Sequence, residues 1–219
     1  MCVIIAKGAG VPAPSLSTLR TCWDHNPDGA GIAIQWHGRV TILKGFLDPM
    51  DFFETLYCLG DLTPYAVIYH LRIATHGAIS AANCHPFPVS DNVEDLQATY
   101  LHTDLAVAHN GMIYGYGDTW DGLSDTMDYV QNQLYLLKRL IPGFYRKPAA
   151  QDLIEYATDS KWAFLGTKGK IVTIGHFEKV GGLLYSNKSY ERKAKTWRVN
   201  HDSATSNGTL TAANNTSSS

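Results

Sequence analysis

Apolar residues in this chain come in short blocks, and the spacing inside each block says which element it builds. Val3 to Ala6 is a continuous apolar run, as in a strand buried on both faces, and Pro12-Ala13-Pro14 breaks it. Ser15 or Ser17 is placed to cap a short helix through Trp23. IAIQW (32–36) and VTILKGF (40–46) flank His37-Gly38-Arg39 and predict a hairpin. Asp48-Pro49 supplies an N-cap with proline at the first helical position, so a helix is expected through about Leu59. YAVIYHLRI (65–73), rich in β-branched and aromatic residues, predicts a strand. ATYLHT and LAVAHN (98–110) predict a second hairpin around Thr103-Asp104. After a glycine-rich loop from Tyr114 to Leu123, Ser124-Asp125 opens the clearest helical period. Met127, Val130, Leu134, Leu137 and Ile141 recur at three- and four-residue steps, and Pro142-Gly143 stops the run. A short helix is expected from Ala149 to Tyr156, and strands at 161–166, 170–175 and 182–186. From His201 onward the chain is Ser, Thr, Asn, Ala and Gly with little apolar content. Residues 201–219 are therefore expected to be a disordered tail, leaving 2–200 as one domain.

Strand pairs around two main helices predict an α+β fold, with stacked antiparallel sheets covered by helices rather than a doubly wound parallel sheet. Neither standard glycine-rich phosphate loop is present. The 219 residues are 45% hydrophobic and 17% charged, which suits a globular domain. A net charge of −2 offers no basic surplus for nucleic acid or a membrane surface. No apolar run approaches the roughly 20 residues of a bilayer span. The apolar stretch before Lys7 is also shorter than the roughly 7–15 residues of a secretory signal, so the cytoplasm is the expected address. That expectation sets the redox state of Cys2, Cys22, Cys58 and Cys84, which contain no CxxC pair and are expected as free thiols. Simple burial is the plain expectation for Cys22 and Cys58.

Four stretches could carry chemistry: Cys2, HLRIATHG (70–77), HNG (109–111) and SDT (124–126). Arg72 lies in a strongly apolar strand. Either it faces solvent, or its guanidinium fork holds a carboxylate by two parallel hydrogen bonds, with Thr75 and His76 as further donors. Asn110-Gly111 is the strongest hairpin dipeptide, and on that ground a turn is favoured. An Asn amide followed by a glycine N–H is also a pair of adjacent donors able to form an oxyanion hole. Asp125 suits a helix N-terminus, and alternatively a substrate ammonium. His70, His76, Cys84, His85, His102 and His109 match no common zinc spacing, so no metal is expected. A papain-like Cys-His-Asn triad would need an internal cysteine in its own signature, which Cys2 lacks.

Together, "MC" at the start, NPDGAGIA (26–33), HLRIATHG (70–77), NCHPF (83–87), AHNGMI (108–113) and SDT (124–126) resemble the class II glutamine amidotransferases. These belong to the N-terminal nucleophile (Ntn) hydrolase superfamily. The stretches come in the family's order over about 2–130, and YSNKSY (185–190) is similar to compact, stand-alone members. The resemblance implies a four-layer αββα sandwich. It also implies loss of Met1, so that the Cys2 amine becomes the base for its own thiol and no cofactor is used. Asn110 and Gly111 would form the oxyanion hole. Arg72, with Thr75 and His76, would clamp the glutamine α-carboxylate. Asp125, with the Gly111 carbonyl, would hold the α-ammonium, and Asn26 and Gly29 would shape the wall beside the nucleophile. Leu71 and Ile73 stand where the family often has Thr and Trp, so the cover over bound glutamine is expected to differ. No acceptor domain is encoded, which implies a separate ammonia-acceptor protein. A stand-alone hydrolase of γ-glutamyl compounds and a catalytically silent binding protein are the alternatives.

Overall fold

The computed structural model describes residues 2–74, 78–117 and 122–191. Met1, Thr75, His76 and the expected 201–219 tail lie outside these. The chain runs β1 (Val3–Lys7), α1 (Leu16–His25), β2 (Ala30–Trp36), β3 (Arg39–Phe46), α2 (Pro49–Leu59) and β4 (Val67–Leu71). It continues with β5 (Phe87–Pro88), α3 (Val93–Gln97), β6 (Tyr100–Thr103), β7 (Leu105–Asn110) and α4 (Asp125–Tyr129). A π-helical turn (Val130–Leu134) joins α4 to α5 (Tyr135–Leu140), and α6 (Pro148–Thr158), β8 (Lys161–Gly166), β9 (Ile171–Ile174), β10 (Glu178–Val180) and β11 (Leu183–Tyr185) follow. Seven strands form one sheet, in the order β10-β11-β1-β4-β2-β3-β6, and four form another, β5-β7-β8-β9. The pairings in both are antiparallel.

Local chemistry explains most boundaries. Ser15 caps α1 by accepting from the Thr18 N–H at 3.1 Å. Asp48 caps α2 through the Met50 N–H at 2.7 Å, with Pro49 at the first position as expected. The expected hairpin over 98–110 is not formed. β6 pairs with β3 in the larger sheet, and β7 pairs with β5 and β8 in the smaller, so the chain changes sheets at Asp104. Burial gives the reason: β6 is half exposed, as an edge strand is, whereas every residue of β7 is buried. The cysteines are free, and Cys22 is buried. Cys58 is exposed on α2, contrary to the expectation of burial.

Three apolar clusters give the layering. Leu19, Cys22 and Trp23 of α1 and Phe52 and Leu56 of α2 pack on Val3, Ile5, Ala30, Ile32 and Tyr69 of the larger sheet. Met127, Val130, Leu134 and Ile154 pack on Val107, Trp162 and Phe164 of the smaller sheet. Between the sheets, Ile4, Ala6, Ala33, Ile42 and Ile68 meet Ala106, Ala108, Ala163 and Leu165. Among the described residues no helix is long and apolar enough to cross a membrane.

Candidate active site

Strand alternation places the site. Ile4 pairs with His70, His70 with Gly31, and Gly31 with Lys44, so these four form one row across β1, β4, β2 and β3. Ile4 and Ile68 face the smaller sheet, so His70 and Arg72 follow on that face at two-residue steps along β4. The ladder runs one step past the strand ends, with Arg72 N–H on the Gly29 carbonyl at 2.7 Å and Asp28 N–H on the Arg72 carbonyl at 2.9 Å. Cys2, one residue before β1, meets the same end: its sulfur accepts from the Ile73 N–H at 3.4 Å.

The nucleophile candidate is half-buried, and burial pushes its thiol pKa up, against the opposing pull of the Ile73 N–H and the Arg72 charge. At neutral pH this thiol carries its proton and needs a base. Arg72 is buried rather than facing solvent, and its charge is felt by Cys2, Cys84, His70 and His85. Gly29, at φ 129°, lies under Cys84: a Cβ there would stand 2.5 Å from that sulfur. Asn26 ends α1, donating its side-chain N–H to the Cys22 carbonyl at 2.8 Å, and so acts on the wall only by shaping the 26–29 turn.

Across the gap, Asn110 closes β7 and Gly111 follows. The dipeptide makes no hairpin turn, since β7's next partner in sequence is β8, some fifty residues on. Gly111 sits where a Cβ would be 2.1 Å from the Ser160 hydroxyl oxygen, which excludes any side chain. Asn110 is buried and donates from Nδ2 to the Ser186 hydroxyl at 2.8 Å. Asp125 takes the Thr126 N–H at 2.7 Å and the Ile113 N–H at 2.9 Å, so its carboxylate fastens the loop after Gly111 to the start of α4. A cavity of about 370 Å³ opens on Cys2, Ile73 and Gly111, with Met112, Tyr114 and Tyr156 on its walls. Arg72, Asn110 and Asp125 stand behind this wall rather than on it. The two tyrosines are 85% and 90% exposed, which places them at the mouth.

His70 and His85 lie between the sheets behind Arg72, whereas His109 follows Val107 on the helix-facing side of the smaller sheet, its ring 4.3 Å from that of Trp162. The His70 ring is 4.2 Å from that of His85, and His85 is 6.3 Å from His109. His70 Nε2 donates to the His109 carbonyl at 3.1 Å, and His109 Nδ1 shares a hydrogen bond with the Thr126 hydroxyl at 2.8 Å. Burial lowers His70 and His109 to about 3 and takes His85 well below its usual value. These rings are neutral and weakly basic. Among the described residues no group of His, Cys, Asp and Glu has a geometry that could hold a metal ion. Beside them Lys44 is buried, its ammonium on the Ala82 and Leu96 carbonyls at 2.7 and 2.6 Å and 4.1 Å from the centre of the Phe87 ring. Burial lowers its pKa to about 7.

The fold therefore brings Cys2, Arg72, Gly29, Asn110 and Gly111 to one end of the inter-sheet layer, while Asp125 and Asn26 hold backbone beside it. Sequence reasoning missed Lys44, the buried state of the three histidines and the tyrosine mouth, and it singled out YSNKSY (185–190) without giving Ser186 or Asn187 a role. For Lys44 the signal was a lysine inside the apolar run VTILKGF. No known protein family matches the chain, and no curated protein matches it either.

Proposed function

We propose that the chain is a class II glutamine amidotransferase on the Ntn-hydrolase fold, releasing ammonia from glutamine for a separate acceptor protein. The observation that carries this reading is Cys2, which lines one cavity with Gly111 and whose pKa is raised by burial. The histidines near it are poor bases, since a group with a pKa of about 3 holds almost no proton at neutral pH. The Cys2 α-amine, free once Met1 is removed, fits better, because such amines have pKa values of about 7.7–8.0. It takes the thiol proton as sulfur attacks the side-chain amide carbon. The oxyanion is met by the Gly111 N–H and the Asn110 amide. Collapse breaks the C–N bond, the ammonium returns its proton to the departing nitrogen, and ammonia leaves a thioester. Water then adds and releases glutamate. Arg72 and Asp125 border the cavity without lining it, and on this reading the first holds the substrate α-carboxylate and the second, with the Gly111 carbonyl, the α-ammonium.

The test is release of glutamate and ammonia from glutamine by protein whose mass shows Met1 absent, with Cys2→Ala as control. Activity surviving in Cys2→Ala, or full activity with Met1 retained, would refute the mechanism. A second reading, hydrolysis of γ-glutamyl amides, is favoured by the exposed rings of Tyr114 and Tyr156 on the cavity wall, apolar surface that a leaving group larger than ammonia can cover. Comparing kcat/KM for glutamine and a γ-glutamyl anilide separates the two, since turnover of glutamine alone removes the second.

A further inference from the structure

β11 ends at Tyr185, yet its bonding to β1 does not stop there. The Ser186 N–H donates to the Ile4 carbonyl at 3.0 Å, and the Ile4 N–H donates to the Ser186 hydroxyl oxygen at 2.9 Å. One step further, Asn187 Nδ2 donates to the Cys2 carbonyl at 2.6 Å. Side chains have taken over from backbone, as Ser and Asn do where a regular ladder ends. The same two residues are tied elsewhere. Ser186 accepts from Asn110 Nδ2 at 2.8 Å, and its carbonyl accepts from the Lys161 ammonium at the start of β8. Asn187 Oδ1 accepts from the Ser189 N–H at 3.0 Å, and the Ser189 carbonyl is 2.7 Å from His25 Nδ1 at the end of α1. Ser186 is buried, so these bonds are little diluted by water.

We propose that Ser186 and Asn187 are the positioning residues of the site, a clamp that sets the nucleophile and the oxyanion donor against each other from one turn. This rests on the reading of Cys2 as nucleophile. Asn187 fixes the Cys2 carbonyl, and with it the rotation about the bond that carries both amine and sulfur. Ser186 holds one Nδ2 hydrogen of Asn110 toward β1, which orients the other for the developing oxyanion. Cys2 directly precedes a strand of one sheet and Asn110 ends a strand of the other, and Ser186-Asn187 bonds to both.

The experiment has two readouts in a Cys58→Ser background, which removes the exposed thiol. The first is the rate of Cys2 alkylation by iodoacetamide across pH, followed by mass spectrometry. The second is kcat and KM for glutamine and a γ-glutamyl anilide. Asn187→Ala is expected to lower alkylation severalfold and kcat up to about a hundredfold, the cost of a misplacement near 1 Å, with KM within about twofold. Asn187→Asp, which keeps the shape but cannot donate, should behave the same. Ser186→Ala should lower kcat about a hundredfold while changing alkylation far less, because alkylation needs no oxyanion donor. Ser186→Thr, which keeps the hydroxyl, should restore most of kcat. Wild-type-like kcat and alkylation in Asn187→Asp overturns the clamp, as does a Ser186→Thr as impaired as Ser186→Ala while its melting temperature is unchanged. Asn187-dependent alkylation in a protein that hydrolyses no γ-glutamyl substrate supports the clamp on Cys2 and instead overturns the amidotransferase reading.

Discussion

The space between the two sheets has two ends, equally buried and oppositely filled. At one end Ala6, Ala33, Ile42, Ile68, Ala106, Ala108, Ala163 and Leu165 pack without a polar side-chain atom, and the alanines let the sheets approach. At the other, Lys44, His70, Arg72 and His85 occupy the same layer, with His109 buried on the far side of the smaller sheet. Burying polar groups costs stability unless every group is satisfied, and His85 has no hydrogen-bond partner on either ring nitrogen among the described residues. Apolar side chains would hold the sheets together at lower cost. The contrast separates what folds this molecule from what the fold is for: the apolar end is sufficient for packing, and the polar end needs another reason to exist.

The sharpest way to expose the contrast is acid. His70, His85 and His109 have folded-state pKa values lowered from about 6.5, His70 and His109 to about 3. Between these values the unfolded chain binds protons that the folded one refuses, so stability is full above about pH 6.5 and falls as the pH drops toward 3. Three such groups give a slope of at most about 4 kcal/mol per pH unit. Denaturant titrations from pH 7 to 4 measure it, and His109→Gln should flatten it by about one proton's worth. An unchanged slope would mean that these rings are not neutral in the native protein.

Next in size, the two ends should fail differently. Ile68→Ala at the apolar end should cost about 2–5 kcal/mol of stability and leave KM of the folded protein unchanged. Arg72→Met at the polar end should raise KM roughly tenfold to a hundredfold, the loss of about 1.5–3 kcal/mol of charge-assisted hydrogen bonding. Melting curves and kinetics on both proteins check the pair, and a shared phenotype would erase the distinction. The shallowest pH slope, that of a single group, concerns Lys44, whose folded pKa is lowered to about 7. Above pH 7 the unfolded chain keeps a proton that the folded chain has released, so stability gains from this group as pH rises from about 7 toward 10.5. Lys44→Met should remove that gain, read as a flatter melting temperature between pH 7 and 10.

How much of this could be read from the chain depends on whether the information is local. The Asp48-Pro49 cap, the strands at β1 and β4 and the helical period after Ser124 follow from neighbours in sequence, and the structure has them. The change of sheet at Asp104 does not, because a strand's partner is a tertiary fact and an apolar run has the same period in either sheet. Arg72 could be read as a clamp or as a surface residue until the register placed it beside His70 and behind Cys2. Asn110-Gly111 carries the strongest hairpin signal, and only the absence of a partner strand directly after it excludes that use. Ser186 and Asn187 stand in YSNKSY, a stretch the resemblance marks, but nothing local says that their hydrogen bonds reach Ile4, Asn110 and Cys2.

The bond from Asn187 to Cys2 spans 185 residues and joins nearly the first position to one near the end of the described chain. At about 5–20 residues per second, a ribosome takes roughly 10–40 s to make that stretch. Throughout that interval β1 lacks β11, the neighbour that lies on one side of it, and Cys2 is not yet pinned. The end of the larger sheet that carries Cys2 is therefore completed only when the 186–189 turn has been made, so the order in which the chain is synthesised sets when this end takes its final shape.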